Sequence, residues 1–213
     1  MEIVNFLFKW FHLLFGIAWI GLLYYFNFVQ TEYFKEATPE ALADAKAKLA
    51  PRALAWFRWA AMFTFITGVL LLGGLQHGGR GIDAYILLGA LLGTFMFLNV
   101  WLIIWPNQKI VLGLAEGDAA TAGPKAALAS RTNTLFSGPM AFFMLASVHL
   151  GGPGSYLIAN NGLSLGAWIS VALVLLLEVN AIVGKPGPMA SIRGVVHMSL
   201  LLAAVLYCLL LFV

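Results

Sequence analysis

Charge is what this 213-residue chain has least of. Asp, Glu, Lys and Arg together make up 10% of it, against 62% hydrophobic residues. A water-soluble domain carries roughly 25% charged residues, so the deficit excludes an ordinary soluble core and indicates a polytopic membrane protein. Cysteine is nearly absent as well. Cys208 stands alone, which excludes an internal disulfide and covalent attachment of a c-type haem through C-x-x-C-H. Inside its apolar stretch it reads as a small lipid- or core-facing residue. No basic run is interleaved with aromatics, so the net charge of +3 gives no sign of a nucleic-acid partner. The first apolar run is followed by no convincing small-residue cleavage site and reads as a retained helix, not a signal peptide. Neither a second soluble domain nor an internal repeat stands out.

What is present is a set of long apolar runs. Spanning a bilayer takes roughly 20 apolar residues per helix, and six segments qualify: about 5–30, 54–75, 84–105, 132–150, 163–183 and 190–213. The expected fold is therefore all-α, a single transmembrane domain of six helices in an integral membrane bundle. Pro106 is expected to stop the third helix, because proline lacks the donor that would continue the ladder. Gly151-Gly152-Pro153-Gly154 and Gly184-Lys185-Pro186-Gly187-Pro188 read as turns. Between the first two helices, Glu40, Asp44 and Lys48 at helical spacing predict a short surface helix over about 36–50. Gly89 and Gly93 form a G-x-x-x-G spacing, a weak sign of close packing within the bundle or between subunits.

Orientation follows from lysine and arginine on alternate loops. Lys35, Lys46, Lys48, Arg52, Arg58, Lys109, Lys125, Arg131, Lys185 and Arg193 fall at one face, and only Lys9 and Arg80 at the other. Both termini are thus expected on the non-cytoplasmic side of a bacterial cytoplasmic (inner) membrane.

The four histidines carry most of the functional information, since an imidazole in hydrocarbon costs free energy unless something ligates or hydrogen-bonds it. Lys9 and Trp10 look like interfacial anchors that put His12 just below the outer surface. His77 lies in the turn after the second helix, and His149 lies at the exit of the fourth. These three share one depth. His12, Gly16, Trp19 or Ile20, Leu23 and Asn27 follow one helical face. Asn27 would be costly toward lipid, and Gly16 allows close approach of a helix or a flat cofactor, so that face is expected to point inward. Two imidazoles facing each other across a bundle ligate haem b, with apolar and aromatic side chains over the macrocycle. The preferred axial pair is His12 with His149. His77 is an alternative ligand or a propionate partner, with Arg80 as propionate counter-charge. The plainer reading is of interfacial histidines bonded to carbonyls, and a three-histidine zinc or copper site stays open too.

Near the other face, counting back from the last hairpin brings Glu178 level with His197. A carboxylate and an imidazole at equal depth neutralise one another, either as a proton- or quinone-handling pair or as a hydrogen bond fastening two helices. Asn99 and Asn133 are placed to extend that network.

Several local runs resemble the membrane-bound, cytochrome-linked bacterial urate oxidases. These are Trp10-Phe11-His12 with Gly16-Ile17-Ala18-Trp19-Ile20-Gly21; Asn99-Val100-Trp101 through Trp105-Pro106-Asn107-Gln108-Lys109; and Arg131-Thr132-Asn133-Thr134 with Ser147-Val148-His149. The likeness covers about Phe8 to Gly151 in pieces. It implies a membrane-embedded oxidase domain passing electrons to a periplasmic cytochrome c, and singles out His12, Asn99, Pro106, Gln108, Asn133 and His149. Relative to that family the chain lacks the long loop insertion after the first helix and the cytochrome c domain with its C-x-x-C-H. The first helix also resembles that of haem-binding protoporphyrinogen oxidases of bacterial membranes.

The leading expectation is a b-type haem-binding oxidoreductase or electron-transfer module, exchanging electrons with a quinol or a periplasmic cytochrome c. A planar urate-like ring would want an arginine and an amide along its edges, and Arg80 with Gln76 is one such pair near His12. The alternatives are a histidine-ligated copper or zinc handling protein, against which the chain offers no methionine- or cysteine-rich entry path although Met140 and Met144 line part of the fourth helix, and a non-catalytic anchor subunit in a homo- or hetero-oligomer.

Overall fold

A computed structural model describes residues 2–77, 81–156, 158 and 162–213, the side chains of residues 76 and 77 excepted. These form six long helices. They are α1 (Glu2–Glu36), α2 (Pro39–Leu75, running on to His77), α3 (Ala84–Val111), α4 (Ala119–His149), α5 (Leu165–Val183) and α6 (Ile192–Phe212). All but α4 are long and apolar enough to cross a membrane. Their outward faces carry large apolar side chains such as Phe6, Ile17, Trp56, Leu102, Leu176, Val183 and Leu200. In water such a surface would be an aggregation liability, and in a bilayer it is the solvent-matched face.

The exception, α4, is explained by where it sits. It packs against α3, α6 and α5, with α1 touching its side. Its middle turns bury Arg131, Thr132, Asn133, Thr134, Leu135, Phe136 and Ser137. A helix enclosed by other helices need not be apolar all round, because its polar groups face protein donors and acceptors instead of acyl chains. Gly138 brings α4 against Ser199 of α6, where an added Cβ would stand 2.5 Å from the hydroxyl. The same test at Gly89 meets the Met144 amide nitrogen at 3.2 Å. The G-x-x-x-G spacing of α3 therefore lets α3 and α4 approach each other within the bundle.

Helix starts follow local capping rules. Thr38, Asp83, Asp118, Ser164 and Ser191 each accept a backbone N–H of the first turn behind them, the cap chemistry short polar side chains favour. Asp83 does more: its second oxygen accepts the Ser147 hydroxyl at 2.8 Å, tying the start of α3 to the end of α4. Asp118 lies in the loop before α4, where hydrogen bonds from the Thr121 hydroxyl and then the Ala120 N–H hold its carboxyl below the usual range.

Three expectations are corrected here. Pro106 does not end the third helix, which continues to Val111. The turns just before it are π-helical, Asn99–Ile104, and this widened stretch takes up the clash and missing donor that proline would impose on a regular ladder. The surface helix expected over about 36–50 is no separate element. Residues 39–49 are helical, with the Asp44–Lys48 ion pair of the predicted spacing, but they are the first turns of α2 itself. The fourth helix begins at Ala119, well before the apolar run that marked it.

Candidate functional site

Two cavities occupy opposite ends of the bundle. The first, of about 660 Å³, lies among the N-terminal half of α1, the C-terminal half of α2, the start of α3 and the C-terminal half of α4. His12, Trp19, Gly68 and Met140 are among its walls. The lining is overwhelmingly apolar, and its size falls within the roughly 300–1,000 Å³ of ordinary ligand pockets. Gly16 and Gly21 border it where an added Cβ would meet nothing within 4 Å. The face running through His12, Gly16, Trp19, Leu23 and Asn27 turns into the protein: Trp19, Leu23 and Asn27 are buried, and the first three line the cavity.

The geometry of His12 fixes its tautomer. Nδ1 lies 2.9 Å from the Thr64 carbonyl oxygen and 3.0 Å from Thr67 Oγ1. The carbonyl only accepts, so Nδ1 carries the proton and donates. The Thr67 hydroxyl spends its own proton on backbone carbonyls of α2, at 2.7 Å to Phe63 and 3.0 Å to Thr64. In the neutral ring Nε2 is then left with its lone pair free. A carbonyl holding one imidazole nitrogen so that the other is presented is the arrangement found behind ligating histidines. Gly68 is part of this mount, since a methyl there would stand 3.1 Å from His12 Cε1. A second polar atom waits at the same cavity: Trp19, only 2% exposed, has its indole Nε1–H buried with no partner.

His149 does not join His12. It is exposed at the last turn of α4 and is not part of the cavity wall. The side chain of His77, the side chain of Gln76 and the whole of Arg80 lie outside the described residues. Among the described residues no group of three His, Cys, Asp or Glu side chains could hold a metal ion.

Between the two cavities runs a buried polar chain. Asn99 Nδ2 donates to Asn133 Oδ1 at 3.0 Å and to Glu178 Oε2 at 3.1 Å. Asn133 in turn donates to the Met96 carbonyl at 2.9 Å. Helices α3, α4 and α5 are joined through it. This replaces the expected pairing of Glu178 with His197. His197 is exposed, and its Nδ1–H donates to the Arg193 carbonyl of its own helix at 2.6 Å. Equal distance from a hairpin sets depth, not azimuth, and the two side chains leave their helices on different faces.

The second cavity, of about 490 Å³, is formed by the C-terminal part of α1, the start of α2, the end of α3, the first turns of α4 and the turn before α6. Lys35, Lys46 and Arg131 line it, and no carboxylate does. Gln108 is also in its wall. The π-helical turns Tyr25–Gln30, Ala45–Leu49 and Asn99–Ile104 each contribute lining residues, in keeping with the frequent use of such bulges at functional sites. Sequence reasoning places Arg131 among the loop charges and in the Arg131-Thr132-Asn133-Thr134 run of the family resemblance but gives it no site role, and does not single out Gln30. The detectable trace was a single one, an arginine inside the run that opens the buried part of α4.

Comparison with known proteins bears on this same region. Residues 75–180 match the family model described as urate oxidase N-terminal. That stretch is urate-oxidase-related. It contains α3, α4 and most of α5, and so the whole Asn99–Asn133–Glu178 chain, Pro106, Gln108, Arg131 and His149. His12 and the Thr64–Thr67 mount precede it. No curated protein and no solved structure gives a match.

Proposed function

We propose that the chain is an integral membrane redox module of the bacterial cytoplasmic membrane, and that the cavity at His12 holds haem b. The supporting observation is the mounting of His12, a residue of the wall of a large, mainly apolar space bordered by glycines, whose Nδ1–H is committed to the Thr64 carbonyl so that Nε2 keeps its lone pair. The residues fit a flat hydrophobic group gripped by one imidazole. They do not fit a bis-histidine hold by His12 and His149. Met140 and Met144, both in the cavity wall, would offer thioether contacts to the bound group, and the unpartnered Trp19 indole N–H would be a donor for one of its carboxylates. When bound, haem supplies one-electron transfer, its potential set by ligand identity and burial. The protein's own part is to hold the imidazole in one tautomer, to exclude water with apolar walls and to keep the ring plane fixed through the α1–α2 contact.

Six spans with both termini on the non-cytoplasmic side would put this cavity near the periplasmic face, where a quinol or a periplasmic cytochrome c exchanges electrons. The charge asymmetry of the loops supports that orientation, and enclosure of α4 by its neighbours reconciles its lower hydropathy with a spanning role. A second reading has a specific observation behind it. The unpartnered Trp19 Nε1–H also suits the carbonyl of a quinone bound there directly, and the unprotonated His12 Nε2 suits the hydroxyl of the corresponding quinol. Pyridine-haemochrome analysis of the detergent-purified protein separates the two: the first reading expects stoichiometric haem b, and a colourless preparation that carries extractable quinone would replace it with the second.

A further inference from the structure

The cavity at the opposite end of the bundle has a composition of its own. Three cationic side chains, Lys35, Lys46 and Arg131, border it without a carboxylate among the lining residues. Arg131 is 9% exposed, and its terminal nitrogen Nη1 is buried with no hydrogen-bond partner. An unpaired buried guanidinium donor is costly, and the nearest acidic group does not relieve it. Glu32 acts on Arg131 only electrostatically, while both its oxygens accept from Lys35 at 2.8 and 3.0 Å. A second orphan lies in the same wall, the buried amide oxygen of Gln30. Asn27, by contrast, has both side-chain N–H donors engaged, by the Leu23 carbonyl and by Ser130 Oγ. The remaining surface is apolar, with Phe26, Phe34 and Phe57 among its walls.

We infer that this cavity binds an organic anion, its charged oxygens on Arg131 and the two lysines and its apolar body against the three phenylalanines. A bare inorganic ion would satisfy the cations and leave most of the volume and the aromatic walls unfilled. A purely apolar ligand would leave Arg131 unpaired. A planar guanidinium fork prefers a carboxylate or phosphate edge, which it meets with two parallel N–H bonds. Gln108 and the Gln30 side chain are placed to read further polar groups on that ligand. Nothing in this assignment depends on haem, since the cavity shares no wall residue with the one at His12.

The same chemistry is available from a soluble aryl carboxylate or from an acidic lipid headgroup, and the test separates them. The full chain is placed in neutral phosphatidylcholine nanodiscs and titrated calorimetrically with benzoate and with inorganic phosphate. In a parallel arm, phosphatidylglycerol retained by the purified protein is counted by native mass spectrometry. Benzoate is expected to bind, with phosphate clearly weaker. Arg131→Gln should weaken binding by about tenfold or more, the value of losing a charge-assisted hydrogen bond. The exposed Lys35→Gln/Lys46→Gln double variant, which disturbs no packing, should weaken it several-fold. Phosphatidylglycerol retained by the wild type and lost in both variants would identify the source as lipid and uphold the site. Absence of both ligands, equal binding of phosphate and benzoate, or binding unchanged in both variants would overturn it.

Discussion

The two cavities are built by the same helices and could hardly differ more in character. At the His12 end, one imidazole and one unpartnered indole N–H are set in a predominantly apolar wall whose Tyr24, Thr64 and Thr94 hydroxyls are bonded within the protein. At the Arg131 end, three cations and several amides share the wall with aromatic rings. The difference teaches how a bundle divides its labour along its length. Where helices keep a regular ladder and small residues face the gap, an uncharged slot opens. Where they bulge into π turns, side chains are re-aimed and polar groups gather. Between them the Asn99–Asn133–Glu178 chain keeps α3, α4 and α5 in one register, so that each end holds its shape independently.

That independence can be broken in graded steps. The largest effect is expected from Gly68→Val, whose side chain would push into the His12 ring. Overpacking of this kind costs about 1–3 kcal/mol and should abolish cofactor loading while leaving benzoate binding at the other end intact, read by visible spectroscopy and calorimetry on one sample. Loss of both would mean that the two ends are not separable. Next comes Asn99→Leu, which deprives the buried Glu178 carboxylate and Asn133 of their shared donor. An unsatisfied buried acceptor costs about 1–3 kcal/mol, more when charged, so a clear drop in unfolding temperature in detergent is expected. Glu178→Gln keeps an acceptor for Asn99 and should cost much less. Thr67→Val removes one of the two partners of His12 Nδ1 and should lower stability by about 0.5–1.5 kcal/mol, shifting the spectrum of a bound haem without abolishing it. Smallest of all, His149→Ala and His197→Ala should stay within about 0.5 kcal/mol of the parent, as exposed substitutions usually do. Loss of colour in His149→Ala would restore the bis-histidine arrangement.

Much of this architecture was legible in the sequence. The apolar runs located the helices, because hydrocarbon thickness sets a length no shorter segment can meet. The face through His12, Gly16 and Asn27 was readable from helical period, since a polar amide and an imidazole on one stripe have nowhere to go but inward. What period and depth could not supply was azimuth between helices. Counting along the chain sets His12 level with His149 and Glu178 level with His197, yet only one member of each pair turns into the bundle. Pro106 was misread because a proline stops a regular ladder but not one already widened upstream. Helix α4 begins earlier than its apolar run because its alanine-rich, largely exposed first turns form helix on propensity and the Asp118 cap without needing an apolar stretch.

The sharpest single measurement is the reduced-minus-oxidised and pyridine-haemochrome spectrum of the purified wild type beside His12→Ala. The account predicts haem b in the wild type, none in His12→Ala, and an unfolding profile in the variant that remains cooperative. Haem b retained at full stoichiometry in His12→Ala, or a wild type containing no iron, would contradict it.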